Sequence, residues 1–177
     1  MAEKAGARLY ASAEELLEHE KPDIVDICLP TFLHAKYAVM AMEAGCAVFV
    51  EKPACLTPEE ACEMLSAQER TGAKVQVGQV VRFMAPYRWL RETVEKGVYG
   101  RVISGVFHRL SFRPAWAAGG NLMDYRRSGT VALDMHVHDI DFIRALMGGD
   151  PDSVEAAAVR DSDGVIEQIF ATYRYGS

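Results

Sequence analysis

Two groups of residues in this 177-residue sequence have the chemistry and the spacing to move a proton. The first is Glu51-Lys52-Pro53, which directly follows the apolar run Ala47-Val48-Phe49-Val50. A short apolar run of this kind reads as a buried parallel strand, so Lys52 stands at the carboxyl end of that strand, where open α/β sheets bind ligands. Pro53 biases Lys52 toward an extended backbone and permits a cis peptide bond. An ammonium group held there can donate a hydrogen bond to a reacting hydroxyl or carbonyl. An exposed lysine in an ordinary turn would look the same in sequence. The second group is Asp134, His138 and Asp141, within Asp134-Met135-His136-Val137-His138-Asp139-Ile140-Asp141. At about 100° per residue, the spacing i, i+4, i+7 places all three on one helical face. A carboxylate beside an imidazole orients the ring for general-base work near neutral pH. The plain alternative is a solvated helix face with incidental ion pairs.

His136-Val137-His138-Asp139 also resembles the H-x-H signatures of metal-dependent hydrolases. Those signatures need a strand or loop, because in a helix the two rings point about 200° apart and cannot converge on one ion. With 130–147 read as a helix, no metal is expected. Smaller features surround the two groups. Pro30-Thr31 with His34 follows a strand signal at 24–29 and offers amides, a hydroxyl and an imidazole near a helix start, or simply a helix cap. Gln79, Arg82 and Tyr87 stand where one pattern of elements gives way to another, while Arg113, Trp116, Asp124 and Arg126 lie in a loop before the Asp/His helix. Aromatic faces and polar groups in such loops suit sugar rings, although Trp116 fits a core equally.

These groups have to be placed by secondary structure. Ser12-Ala13-Glu14-Glu15 is a capping box opening a helix to about residue 20. A strand is expected at 24–29, a helix from 32 stopped by Gly45, a strand at 47–50, a helix started by Thr57-Pro58-Glu59-Glu60 and ending before Gly72, and a strand at 74–78. Apolar strands alternating with helices imply right-handed βαβ units and a parallel sheet buried on both faces. After Gly78 the pattern predicts a helix at 86–96, a long alternating strand at 101–112, the loop, a helix at 130–147, and strands at 153–160 and 165–175. The fold class expected is α/β: part of a doubly wound parallel-sheet domain over 1–80, followed by part of an α+β domain with a mostly antiparallel sheet over 81–177.

A net charge of −6 argues against a polyanion partner, since nucleic-acid binders concentrate Lys and Arg. The four cysteines form no C-x-x-C pair and read as reduced thiols, no apolar run reaches the about 18 residues of a membrane span, and the charged start resembles no signal peptide. The cytoplasm is the expected compartment and a small molecule the expected partner.

Taken in order, Asp23-Ile24-Val25-Asp26, Pro30-Thr31, His34, Glu51-Lys52-Pro53, Gly78, Arg82-Phe83, Pro86, Gly97, Gly100, Gly129, Asp134, His138 and Asp141 resemble the Gfo/Idh/MocA oxidoreductases. The resemblance covers about 11–175 and implies a Rossmann domain followed by an α+β domain whose open sheet forms a homo-oligomer interface. It implies NAD or NADP as cofactor and oxidation of a secondary alcohol on a sugar, cyclitol or derivative. In that picture His138 takes the hydroxyl proton, Lys52 holds the reacting oxygen, Asp134 tunes both, and Asp141 binds a neighbouring hydroxyl. Pro30, Thr31, His34, Glu51, Lys52 and Pro53 would lie along the cofactor. Gln79, Arg82 and Trp116 would contact substrate beside Lys52, Asp134, His138 and Asp141.

The sequence contains no G-x-G-x-x-G, so the resemblance leaves the pyrophosphate cradle outside these residues. Met1 then falls after the family's second strand, and the chain alone is expected to show negligible NAD(P)-dependent turnover. Two other functions share this fold: a non-catalytic sugar- or dinucleotide-sensing regulator, and an NAD-dependent glycoside hydrolase. Lys52, Asp134 and His138 together favour the enzyme, because a sensor needs no proton relay.

Overall fold

A computed structural model describes residues 4, 6–111 and 124–176. The chain divides into two compact units, Met1–Gly78 and Gln79–Ser177.

In the first unit, helix α1 (Ala13–Glu20) begins at Ser12, whose hydroxyl accepts from the Glu15 amide. Strand β1 (Ile24–Ile27) is followed by a short 3₁₀ turn and helix α2 (His34–Glu43), then by strand β2 (Ala47–Glu51), helix α3 (Pro58–Thr71) and strand β3 (Val75–Gly78). The capping box expected at Ser12–Glu15 is only half made, since the Glu15 carboxylate accepts from the Ala11 amide. A full capping box forms at α3, with the Thr57 hydroxyl accepting from the Glu60 amide and the Glu60 carboxylate bonding back. The strands lie in the order β1-β2-β3, all parallel, with Ile27 opposite Val50 and Glu51 opposite Gly78.

Consecutive right-handed crossovers that step in one direction put both helices on one face of the sheet. The core therefore lies between that face and α2 and α3, built from Ile27, Ala35, Ala38, Ala41, Met42, Cys46, Val48, Val50, Met64 and Ala67. Small alanines along α2 let the helix approach the sheet closely. The expectation of a sheet buried on both faces is corrected within this unit. Ile24, Asp26, Phe49 and Gln76 alternate with the core residues along their strands, so they occupy the opposite face and are exposed.

The second unit starts with a 3₁₀ turn at Val80–Phe83 and helix α4 (Ala85–Glu95). After one helical turn at Tyr125–Ser128 comes a π-helical segment, Val131–Met135, which runs into helix α5 (His136–Met147). Gly148, at φ 77°, ends α5 in the left-handed conformation. Strands β4 (Ser153–Arg160) and β5 (Ile166–Arg174) form an antiparallel pair with an irregularity at Val159/Arg160. Their turn is held by the Asp161 carboxylate, which accepts from the amides of Asp163 and Val165.

The strand expected at 101–112 is not found in its described part. Residues 102–111 join no ladder among the described residues, and Ile103, Val106 and Leu110 are exposed. Alternation in sequence marks two faces, but a strand also needs a neighbour to take its backbone hydrogen bonds. Side chains hold this segment instead: the Phe107 ring meets Phe142 of α5 edge-on at 6.1 Å, and Arg109 pairs with Asp139.

No helix among the described residues is long and apolar enough to cross a membrane. All four cysteines are free thiols.

Candidate active-site residues in each unit

In the first unit, the parallel register brings the carboxyl ends of three strands side by side. They lead into Cys28-Leu29-Pro30-Thr31, into Lys52-Pro53 and into Gln79. Pro30, Thr31, Glu51 and Lys52 are half-buried there, as side chains available to a ligand should be. The Lys52–Pro53 bond is cis. The Glu51 carboxylate accepts from the Lys52 amide at 3.2 Å.

Two residues expected along the cofactor face inward. Pro53 is buried, and His34 is only 1% exposed, with Nδ1 2.7 Å from the Pro53 carbonyl oxygen and Nε2 2.7 Å from that of Leu29. Both ring nitrogens are occupied by backbone, so His34 has no edge left for a ligand. The sequence hid this because a histidine at a helix start fits a cap, a ligand site or a core brace equally well. An open groove of about 540 Å³ runs along β1 from Arg8 and Tyr10 to Asp26, and it contains none of the expected site residues.

In the second unit, α5 carries the polar residues. His138 is 9% exposed and Asp139 8% exposed, beside Phe142 at 1%. Asp134 lies in the π-helical segment, so the uniform 100° spacing expected to align it with His138 and Asp141 does not hold across 131–135. The distortion starts at Gly129 and Thr130, both with positive φ, 69° and 51°. Thr130 is a β-branched residue in a region that disfavours it, and its amide donates to the Ser128 hydroxyl at 3.0 Å.

Asp141 and Arg82, each expected to touch substrate, bind each other. Arg82 donates from Nε and Nη2 to the two carboxylate oxygens, both at 2.6 Å. The Arg82 side chain is 41% exposed and that of Asp141 12%. Trp116 and Arg113 fall outside the described residues. Gln79 is half-buried.

The residues that sequence reasoning missed are Asp139 and Arg109. Arg109 donates from Nε to both Asp139 oxygens at 3.1 Å and from Nη2 to Oδ1 at 2.8 Å, with a further 3.4 Å bond to the Tyr87 hydroxyl. The Tyr87 ring in turn meets Phe142 edge-on at 4.8 Å. Burial alone would push the Asp139 carboxyl up. Hydrogen bonding and charge from His136 and Arg109 outweigh it and hold the carboxyl below the usual aspartate value. Arg109 is the closer of the two, since His136 Nδ1 stands 3.8 Å from Oδ2.

His136 Nε2 is 2.7 Å from the Tyr173 hydroxyl on β5. Burial, and then the charge of Asp139, pushes the Tyr173 phenol up, so it keeps its proton. A signal for Asp139 was present in the sequence. It lies three residues before Phe142, on the apolar face of the helix, where a carboxylate must be paired. Among the described residues no three His, Cys, Asp or Glu side chains gather as a metal site would require.

Comparisons with known proteins identify the family. Residues 1–79 match the family model described as the Gfo/Idh/MocA oxidoreductase family, NAD-binding Rossmann fold, and residues 87–177 match that of the Gfo/Idh/MocA C-terminal domain. The 1,5-anhydro-D-fructose reductase of Ensifer adhaerens is 34% identical over 87% of this chain and 46% of its own length. The inositol 2-dehydrogenase of Rhizobium meliloti is 36% identical over 77% of this chain and 40% of its own. The chain thus spans less than half the length of these relatives. The WlbA dehydrogenase of Bordetella pertussis, solved with NADH and UDP-GlcNAcA, shares the fold at a TM-score of 0.88 and 23% identity, over 98% of this chain and 51% of that one. With one model over 1–79 and the other over 87–177, the chain belongs to the Gfo/Idh/MocA family of oxidoreductases.

Proposed function

We propose that the protein carrying this chain transfers hydride between a secondary alcohol of a sugar, cyclitol or derivative and NAD or NADP. The observation that carries the reading is Lys52, half-buried at the carboxyl end of the central strand of a parallel sheet. Chemical fit supports the cofactor. The Thr31 hydroxyl, Glu51 carboxylate and Lys52 ammonium share one sheet edge and suit the ribose hydroxyls and amide of a nicotinamide nucleotide. No glycine-rich turn for the pyrophosphate occurs in these 177 residues. The reading takes residues 1–80 as part of a dinucleotide-binding domain and 81–177 as part of a substrate domain, supported by the family models over 1–79 and 87–177.

A bound nicotinamide would supply the acceptor for the hydride on the carbinol carbon, and Thr31, Glu51 and Lys52 are the residues that would hold it. Lys52 donates a hydrogen bond to the oxygen on that carbon and favours the charge that grows there as its proton departs. His138 accepts the proton, and Asp134 orients the ring. Asp141, held by Arg82, presents a fixed carboxylate edge to a second hydroxyl. Gln79, Arg82 and Trp116 complete the substrate contacts. The names of the relatives, a reductase of an anhydro sugar and a dehydrogenase of a cyclitol, support the substrate class. The reading includes cytoplasmic residence, supported by four free thiols. It also includes a homo-oligomer formed through the β4–β5 sheet, where Val154, Val159 and Phe170 are exposed.

The test is a panel of hexoses, anhydro sugars, glycosides and inositols offered to the protein with NAD and with NADP, read by reduced-nicotinamide absorbance. Reduction of either cofactor by a panel member is the expected result. Tight cofactor binding without turnover of any member would return the assignment to a sensing role.

A further inference from the structure

We propose that His34 is a positioning residue that fixes where Lys52 presents its ammonium group; the inference rests on the reading of Lys52 above. The ring spans two loops. Through Nε2 it reaches the Leu29 carbonyl just after β1, and through Nδ1 the Pro53 carbonyl just after β2, each at 2.7 Å. Pro53 is the residue directly after Lys52. On the other side, Glu51 is the last residue of β2 and pairs with Gly78 of β3. Lys52 is therefore bracketed, with one neighbour fixed by the sheet ladder and the other by the imidazole. The Glu51 side chain also takes the Lys52 amide. This leaves the lysine its own side-chain torsions and little else.

The position of the ring argues against a plain filler role. An apolar side chain of similar size would occupy the same space, but it would offer a donor to neither carbonyl, whereas the ring offers one from its protonated nitrogen. Imidazole has two nitrogens at opposite edges, and here they meet carbonyls from the two loops that border the candidate ligand edge. Whichever nitrogen carries the proton donates to the carbonyl it faces. The backbone around Lys52 is thus set from inside the core, by a residue that never reaches the ligand.

The test is competitive labelling of the full chain with trace acetic anhydride across a pH series, followed by peptide mass spectrometry. Wild type is compared with His34→Phe, which loses both polar contacts, and His34→Gln, which keeps a polar group from one edge. Circular dichroism establishes that each variant folds. The expected result is a change of about threefold or more in Lys52 reactivity relative to Lys74 and Lys96, equivalent to about half a pK unit, with the two reference lysines constant. Unchanged Lys52 labelling in either folded variant overturns the proposal. So does a uniform rise at all three lysines, or loss of folding in both variants, since His34 would then serve stability alone. Turnover of Lys52→Met decides separately whether Lys52 is catalytic, so failure of that role and failure of the brace are read in different experiments.

Discussion

Replacing Arg109 by methionine should destabilise the second unit by about 3 kcal/mol. Asp139 accepts three hydrogen bonds from the guanidinium and its side chain is only 10% exposed. Removing one partner of a buried ion pair costs about 3–5 kcal/mol, because the remaining charge stays desolvated and unpaired. Arg109 is itself 26% exposed, and water relieves part of that penalty, which places the cost at the lower end of the range. For a unit of this size the whole folding free energy is about 5–15 kcal/mol, so the loss is large. Asp139→Asn keeps the shape and removes the charge. The double variant should therefore lose less than the sum of the singles, by about 1–2 kcal/mol of coupling. Trp89 and Trp116, the two tryptophans of the sequence, both follow Gly78, so urea unfolding followed by tryptophan fluorescence reads this unit selectively. Coupling within about 0.5 kcal/mol of zero would refute the reasoning.

Two further outcomes are expected. The Asp139 carboxyl is held below its ordinary value in the folded protein, so its contribution is present above the unfolded value of about 4 and is lost as pH falls through the folded value. The stability difference between wild type and Asp139→Asn should therefore shrink on acidification below about pH 4, and a difference independent of pH would contradict it. Gly129 and Gly148 both have positive φ, but a Cβ at Gly129 would stand 2.4 Å from Leu133 Cδ1 and 2.6 Å from its Cβ, whereas nothing lies within 4 Å at Gly148. Alanine should cost about 1–2 kcal/mol at Gly148 from backbone strain and about 1–3 kcal/mol more at Gly129 from the collision. Equal urea midpoints for the two variants would refute the distinction.

Features set by nearby residues were legible in the sequence. The Thr57-Pro58-Glu59-Glu60 start and Gly72 stop delimit α3 at Pro58–Thr71, and the apolar runs before Glu51 and Gly78 form adjacent parallel strands. The position of Lys52 at a strand's carboxyl end followed from the same local pattern. What escaped depends on distant partners. Alternation over 101–112 marks faces without supplying a neighbouring strand, and the π-helical segment follows directly on the positive-φ backbone at Gly129 and Thr130, which no helical periodicity encodes. His34 looked like a ligand-facing residue because its carbonyl partners include one 19 positions away, at Pro53. Asp139 was legible in principle, since a carboxylate on the Phe142 face of a helix requires a cation. Its cation, Arg109, lies 30 positions earlier and shares no motif with it.

The central claim is that Lys52 and His138 handle the proton in a nicotinamide-dependent oxidation. It is tested most directly by measuring kcat and cofactor Kd for the full-length protein carrying this chain, as wild type, Lys52→Met and His138→Ala. General acid–base residues contribute about 10²–10⁴ in rate, so each substitution should lower kcat by at least about 100-fold while leaving the cofactor Kd nearly unchanged. Turnover that stays at the wild-type level in both variants would contradict the account.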